Sequence, residues 1–324
     1  MRITQNMSAD NALYNIQKGR TKLDRLQEQL STQQNFLRPS DDPITTRYIL
    51  DLENRIKESD QYMKNIQNAN IWMNVTNTAL TGISDTIKSV RGVIASVSKG
   101  ADNSPEGISL RNDAISQLKE WRKMLIDLGN TKVGDQFVFA GFNNNVQAFG
   151  TSALSSPPLP AGDPLIGEPA GTWQGTSDEI QIDIGNSSRL GINVAGDAIY
   201  NGMSNGATPG PYGGLDIIAT IDDVIRAIDS NNTAQIQADE NSLYNATGQL
   251  NNAIGDVASK LLRSQSAEKL LLRSKNTALD MIANRQNVDL AKVATELTQE
   301  KTAFEATLSS TAKISQLSLL DYLN

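Results

Sequence analysis

Apolar residues return at seven-residue intervals over most of this chain. Between Ser8 and Arg38 they fall at Ile16, Leu23, Leu30 and Leu37, with Leu13 and Leu26 expected to fill the alternate row, which is the stripe of a coiled coil. The run Arg38-Pro39-Ser40-Asp41-Asp42-Pro43 breaks that helix. Asp42 is placed to cap the next one, with Pro43 at its first position. A second helix is predicted from Pro43 to Lys99, with Leu52, Ile66, Met73, Leu80, Ile87 and Ile94 on one row and Ile83, Val90 and Val97 beside it. Ser104-Pro105-Glu106 opens a third, whose seam is Ala114, Leu118, Trp121, Leu125 and Leu128.

The period changes to two at Gln136–Gly141, a short aromatic strand. Seven of the ten prolines lie between Gly141 and Gly214, which excludes long helix there. Alternation through Ile180, Ile182 and Ile184 and again through Leu190, Ile192 and Val194, around Gly185-Asn186-Ser187-Ser188, predicts a hairpin. Helical spacing resumes at Leu215 with Ile218, Ile221, Ile225 and Ile228, and continues from Thr233 to the end. The expected fold is mainly α: an elongated, antiparallel helical bundle or coiled coil made from both chain ends, with a small inserted β domain. An arm at 1–45 is expected to pair with 285–324, and a helical domain at 46–140 to be completed by 214–284. The β-rich insertion, 141–213, is expected to fold independently because its composition is segregated from the helical seams.

The final arm has its own seam in Leu290, Val293, Leu297, Phe304, Leu308 and Ile314, then an apolar finish in which Leu317, Leu320 and Leu323 are spaced by three. Any long helix pair needs an apolar seam for its own stability. Chain ends usually fray, however, and here the last residues are among the most apolar in the chain. Stripes with so little else to cover them are expected to be mobile in a free monomer and to order when copies cover them. The candidate assembly residues are therefore Ile16, Leu23, Leu30, Leu37, Leu290, Leu297, Phe304, Leu308, Leu317, Leu320 and Leu323.

Composition narrows the function. With 324 residues, 39% hydrophobic and only 5% aromatic, the chain suits narrow helical seams better than one thick core. A net charge of -7 offers nothing to a phosphate backbone or an anionic membrane, and no run is long enough to span one. Histidine and cysteine are both absent, removing the commonest general base, the thiolate nucleophile and the commonest metal ligands. No nucleophile elbow or phosphate-binding loop occurs, and Gly202, Gly206, Gly210, Gly213 and Gly214 read as loop glycines. Asp41 and Asp42 read as turn and cap, and Asp222-Asp223 and Asp239-Glu240 as solvated helix faces. The triplet Asn186-Ser187-Ser188 carries almost no weight as a glycosylation site. No catalytic, cofactor or metal site is expected, so the chain reads as a non-enzyme. The first seven residues lack the features of a secretory signal, so any export is expected to use another machine.

Several segments carry a resemblance. The start Met1-Arg2-Ile3-Thr4, the run Gln29-Leu30-Ser31-Thr32 followed by Pro39-Ser40-Asp41-Asp42-Pro43, Ala69-Asn70-Ile71-Trp72, Leu128-Gly129-Asn130-Thr131 before Phe137-Val138-Phe139-Ala140-Gly141, and the ending from Ala312 to Leu323 resemble the flagellin-like axial proteins of the bacterial flagellum, in particular those at the hook-filament junction. The likeness covers both helical arms and not the insertion. One departure is Gln33-Gln34, where the family usually has glycine after its Ser-Thr pair. The resemblance implies an extracellular structural subunit exported by the flagellar type III apparatus without a cleaved signal, self-assembling as a ring. Its implied partners are hook-associated protein 1, flagellin and an export chaperone. Flagellin itself is the nearest alternative, and an adhesin or hydrolase on a flagellin-like scaffold, with its chemistry in 141–213, is a more distant one.

Overall fold

A computed structural model describes residues 5–36, 38–100, 103–150, 159–160, 162–201 and 210–323, with side chains outside 5–9, 99–100 and 314–323. Its helices are α1 (Gln5–Thr32), α2 (Pro43–Gly100), α3 (Pro105–Gly129), α4 (Ile217–Asp229), α5 (Thr233–Gln286) and α6 (Leu290–Leu323). Between α3 and α4 lie two antiparallel hairpins, β1 (Lys132–Val133) with β2 (Gln136–Phe137) and β3 (Gln181–Gly185) with β4 (Ser188–Gly191), and a turn of π-helix at Asp197–Asn201. The aromatic strand expected over 136–141 stops at Phe137, because Val138 to Ala140 turn inward and are fully buried. The chain forms two compact units, a terminal one of 1–58 and 273–324 and a second of 59–272.

The helix starts follow from local chemistry. Thr45 N–H donates to Asp42 Oδ1 at 3.0 Å ahead of Pro43, and that bond holds the Asp42 carboxyl below its usual range. Gly107 N–H donates likewise to Ser104 Oγ at 3.1 Å, with Pro105 at the first helical position.

The contiguous core lies in the second unit. Within it α2 and α5 run antiparallel: Asn70 meets Ser264 and Arg91 lies over the Tyr244 ring, so numbers rise on one helix as they fall on the other. The heptad rows of α2 from Ile66 to Val97 are all buried, as are Ile218, Ile221, Ile225 and Ile228 of α4. Among the described residues, the buried side chains after Gly141 join the helical core. Phe149, Leu165, Ile184, Leu190, Ile199 and Tyr200 belong to the same cluster as the helical side chains. Hydrogen bonds join them: Tyr200 O–H donates to Leu125 O at 2.7 Å, Gln249 Nε2 to Ile199 O at 2.6 Å, and Asn65 Nδ2 to Asp183 O at 3.0 Å. This shared core argues against the expectation that the insertion folds independently.

Two acidic pairs are corrected as well. Asp222 faces inward from α4 and receives Arg122 of α3, whose side chain is 0% exposed, through Nε at 2.5 Å and Nη2 at 3.1 Å. The remaining Arg122 donors reach Pro169 O and Ala170 O. Asp239 is also buried, accepts from Gln235 Nε2 at 2.8 Å, and burial raises its carboxyl above the usual range. Both were expected on solvated faces, yet each is the inward residue of its pair, while Asp223 and Glu240 remain further out.

Candidate assembly surface on the terminal helices

In the terminal unit α1 and α6 pair antiparallel. Lys22 Nζ meets Glu300 Oε2 at 2.6 Å, and Gly19 packs so closely on Phe304 that a Cβ there would lie 2.9 Å from its ring. Burial on α1 steps through Ile16, Gly19, Leu23, Leu26 and Leu30, and on α6 through Val293, Leu297, Glu300, Phe304, Thr307 and Thr311, alternating threes and fours as knobs-into-holes packing requires. Five of the proposed assembly residues thus lie half-buried along this seam: Ile16, Leu23, Leu30, Leu297 and Phe304. Leu13 was expected in the alternate row but is 60% exposed, because the true row runs through Gly19 and Leu26, and one residue off a heptad row is a 100° rotation. Leu308 sits one position off the α6 seam and Leu290 opens the helix, so both are 42% exposed. Leu37, and the side chains of Leu317, Leu320 and Leu323, lie outside the described residues.

The turn between α1 and α2 is clamped to the break between α5 and α6. Asn35 N–H donates to Gln286 O at 2.8 Å, Val288 N–H to Gln33 O at 3.1 Å, and Gln29 Nε2 to Asn35 O at 2.6 Å. Just past the end of α1, Gln33 has φ 59°. That left-handed conformation costs an L-residue roughly 1–2 kcal/mol and is where helices commonly place glycine. Glutamine at this position therefore leaves strain in the turn. Gln33→Gly should relieve it by about 0.5–1 kcal/mol after glycine's own entropic cost. Amide exchange at Asn35 and Val288, read by mass spectrometry, should slow by roughly two- to fivefold; unchanged or faster exchange would show no strain there.

Among the described residues, this unit buries five apolar side chains, Leu26, Ile49, Leu52, Ala278 and Val293. It leaves nine large ones exposed: Leu13, Tyr14, Ile44, Tyr48, Leu50, Leu279, Met281, Leu290 and Leu308. The terminal unit thus exposes more large apolar side chains than it fully buries. The exposed residues of α2 and α5 were missed in the sequence because they stand singly, off the heptad grid. Among the described residues no cluster of potential metal ligands occurs, and no helix is long and apolar enough to cross a membrane.

Residues 3–144 match the bacterial flagellin N-terminal helical region. Over that stretch, which is less than half of the chain, the protein is similar to the N-terminal helical part of flagellins. More particularly, the chain is similar to flagellar hook-associated protein 3 of Escherichia coli (strain K12), 22% identical over 266 residues that cover 81% of this chain and 77% of the relative. Among solved structures, one assigned to a flagellar hook-associated protein of Vibrio parahaemolyticus superposes with a TM-score of 0.62 at 19% identity, covering 76% of this chain and 100% of that one. Bacillus cereus FlgL gives 0.54 at 12% identity, covering 72% and 99%. These two structures speak for the fold.

Proposed function

We propose that the chain is a structural subunit of the bacterial flagellum that forms the junction between hook and filament, assembling through its terminal helices. The observation that carries this is the terminal unit's excess of exposed over buried apolar side chains, on a chain similar to hook-associated protein 3. Copies that cover those side chains supply the burial the unit lacks alone, so association and ordering of the arms are coupled. The eleven residues from Ile16 to Leu323 named above are the proposed contacts, the seam residues acting within each copy and the outward ones between copies. In this reading the subunit works outside the cell, exported by the flagellar apparatus and escorted by a chaperone. It forms a ring on hook-associated protein 1 and carries flagellin above. It performs no chemistry.

Deleting the gene tests the reading. The expected result is cells that keep hooks, lose filaments and motility, and release flagellin into the medium. Normal filaments in the deletion strain would overturn it.

A further inference from the structure

The exposed apolar residues of α2 and α5 in the terminal unit fall on two flanks of that helix pair. Tyr48 O–H donates to Met281 Sδ at 3.5 Å, and the Arg285 guanidinium lies 4.6 Å from the centre of the Tyr48 ring, so these three share one flank. Ile44, one helical turn before Tyr48 and 83% exposed, extends it. Leu50 and Leu279 are also exposed, and each stands two positions from a member of that flank, Leu50 from Tyr48 and Leu279 from Met281. Two positions on a helix are a rotation of about 200°, so both leucines lie on the opposite flank.

A partner that docks once needs one apolar strip, and a two-fold dimer uses the same strip on both copies. Two separate strips on one helix pair, with Ile44 and Leu50 about 120° apart around α2, suit a repeating array of identical subunits, in which one strip of a copy meets the other strip of the next. Charge permits the approach. Of the chain's 29 Lys and Arg and 36 Asp and Glu, the terminal unit holds 15 and 14, whereas the second unit holds 14 and 22 and its copies repel. The flanks themselves are mixed: helical spacing puts Asp51 and Arg55 beside Tyr48 and Arg285, and Glu53 and Lys57 beside Leu50. Each therefore offers a cation and a carboxylate to the other.

We propose that the flank of Ile44, Tyr48, Met281 and Arg285 on one copy packs against the flank of Leu50 and Leu279 on the next, as a head-to-tail contact between copies of this chain. The assignment rests on the assembly reading above and adds which surfaces meet.

The absence of native cysteine makes cross-linking clean. Chains carrying Ile44→Cys, Leu50→Cys or both replace the wild type in cells, and isolated flagella are treated with a short bis-maleimide. The double variant should give a ladder of covalent multimers, a mixture of the two single variants only dimers, and either single variant alone no cross-link. Homodimers from a single variant, or a double variant that is incorporated without a ladder, would overturn the head-to-tail contact. Should cysteine disturb the packing, Leu50→Lys with Leu279→Lys gives a second reading. It should lower incorporation at least tenfold with an unchanged monomer melting temperature, and normal incorporation would overturn the contact. Absence of the wild-type chain from isolated flagella is a different result, because it removes the assembly reading and the contact with it.

Discussion

Arg122→Met should destabilise the second unit by about 3–5 kcal/mol, the usual cost of leaving one member of a buried ion pair without its partner. Burial raises the Asp222 carboxyl, and the hydrogen bonds and charge of Arg122 are the main forces opposing that rise. Without the guanidinium, the folded protein holds a buried carboxylate that favours its neutral form. The proton is then bound more tightly in the folded than in the unfolded chain, so stability falls as pH rises through the folded pKa and recovers on acidification. Denaturant unfolding of Arg122→Met should therefore show a deficit that is largest near neutral pH and shrinks toward the acid side. Adding Asp222→Leu should restore much of the loss, since a well-packed apolar pair can replace a buried ionic one. A single variant within 1 kcal/mol of wild type, roughly the worth of a surface ion pair, would mean that water reaches the site.

Replacing residues 145–210 by a Gly/Ser linker should cost more still. The deletion removes Phe149, Leu165, Ile184, Leu190, Val194, Ile199 and Tyr200, all buried, and each is worth about 1.5–3 kcal/mol when fully buried. Together they match or exceed the roughly 5–15 kcal/mol by which a whole domain is stable. Arg122 would also lose its acceptors at Pro169 and Ala170. The truncated chain should lose the cooperative unfolding of the second unit, seen by calorimetry, and should not support filament growth. A well-folded, motile deletion would instead restore the independent insertion that composition suggested.

These two cases mark what the sequence conveys and what it does not. The rows on α2 from Ile66 to Val97, and the caps at Asp42 and Ser104, follow from spacing and local hydrogen bonding, and they were legible. So was the α1 stripe, although Leu13 was assigned to it in place of Gly19, since glycine carries no apolar signal of its own. The Arg122 site was not legible: its partners lie 47 to 100 residues away and no local pattern joins them. The inward turn of Asp222 rests on which side of α4 meets α3, and adjacent carboxylates in a sequence do not say which is buried. The flank of Tyr48 and Met281 was hidden for a similar reason, because lone apolar residues between charged ones are ordinary on a helix surface.

The central claim is that this chain is built to sit where hook meets filament. Immunogold electron microscopy of intact flagella, with antibody raised against the purified chain, tests it most directly. The account predicts gold confined to one point on each flagellum, at the hook-filament boundary. Label distributed along the filament would make the chain a filament subunit, and flagella without label would take it out of the structure altogether.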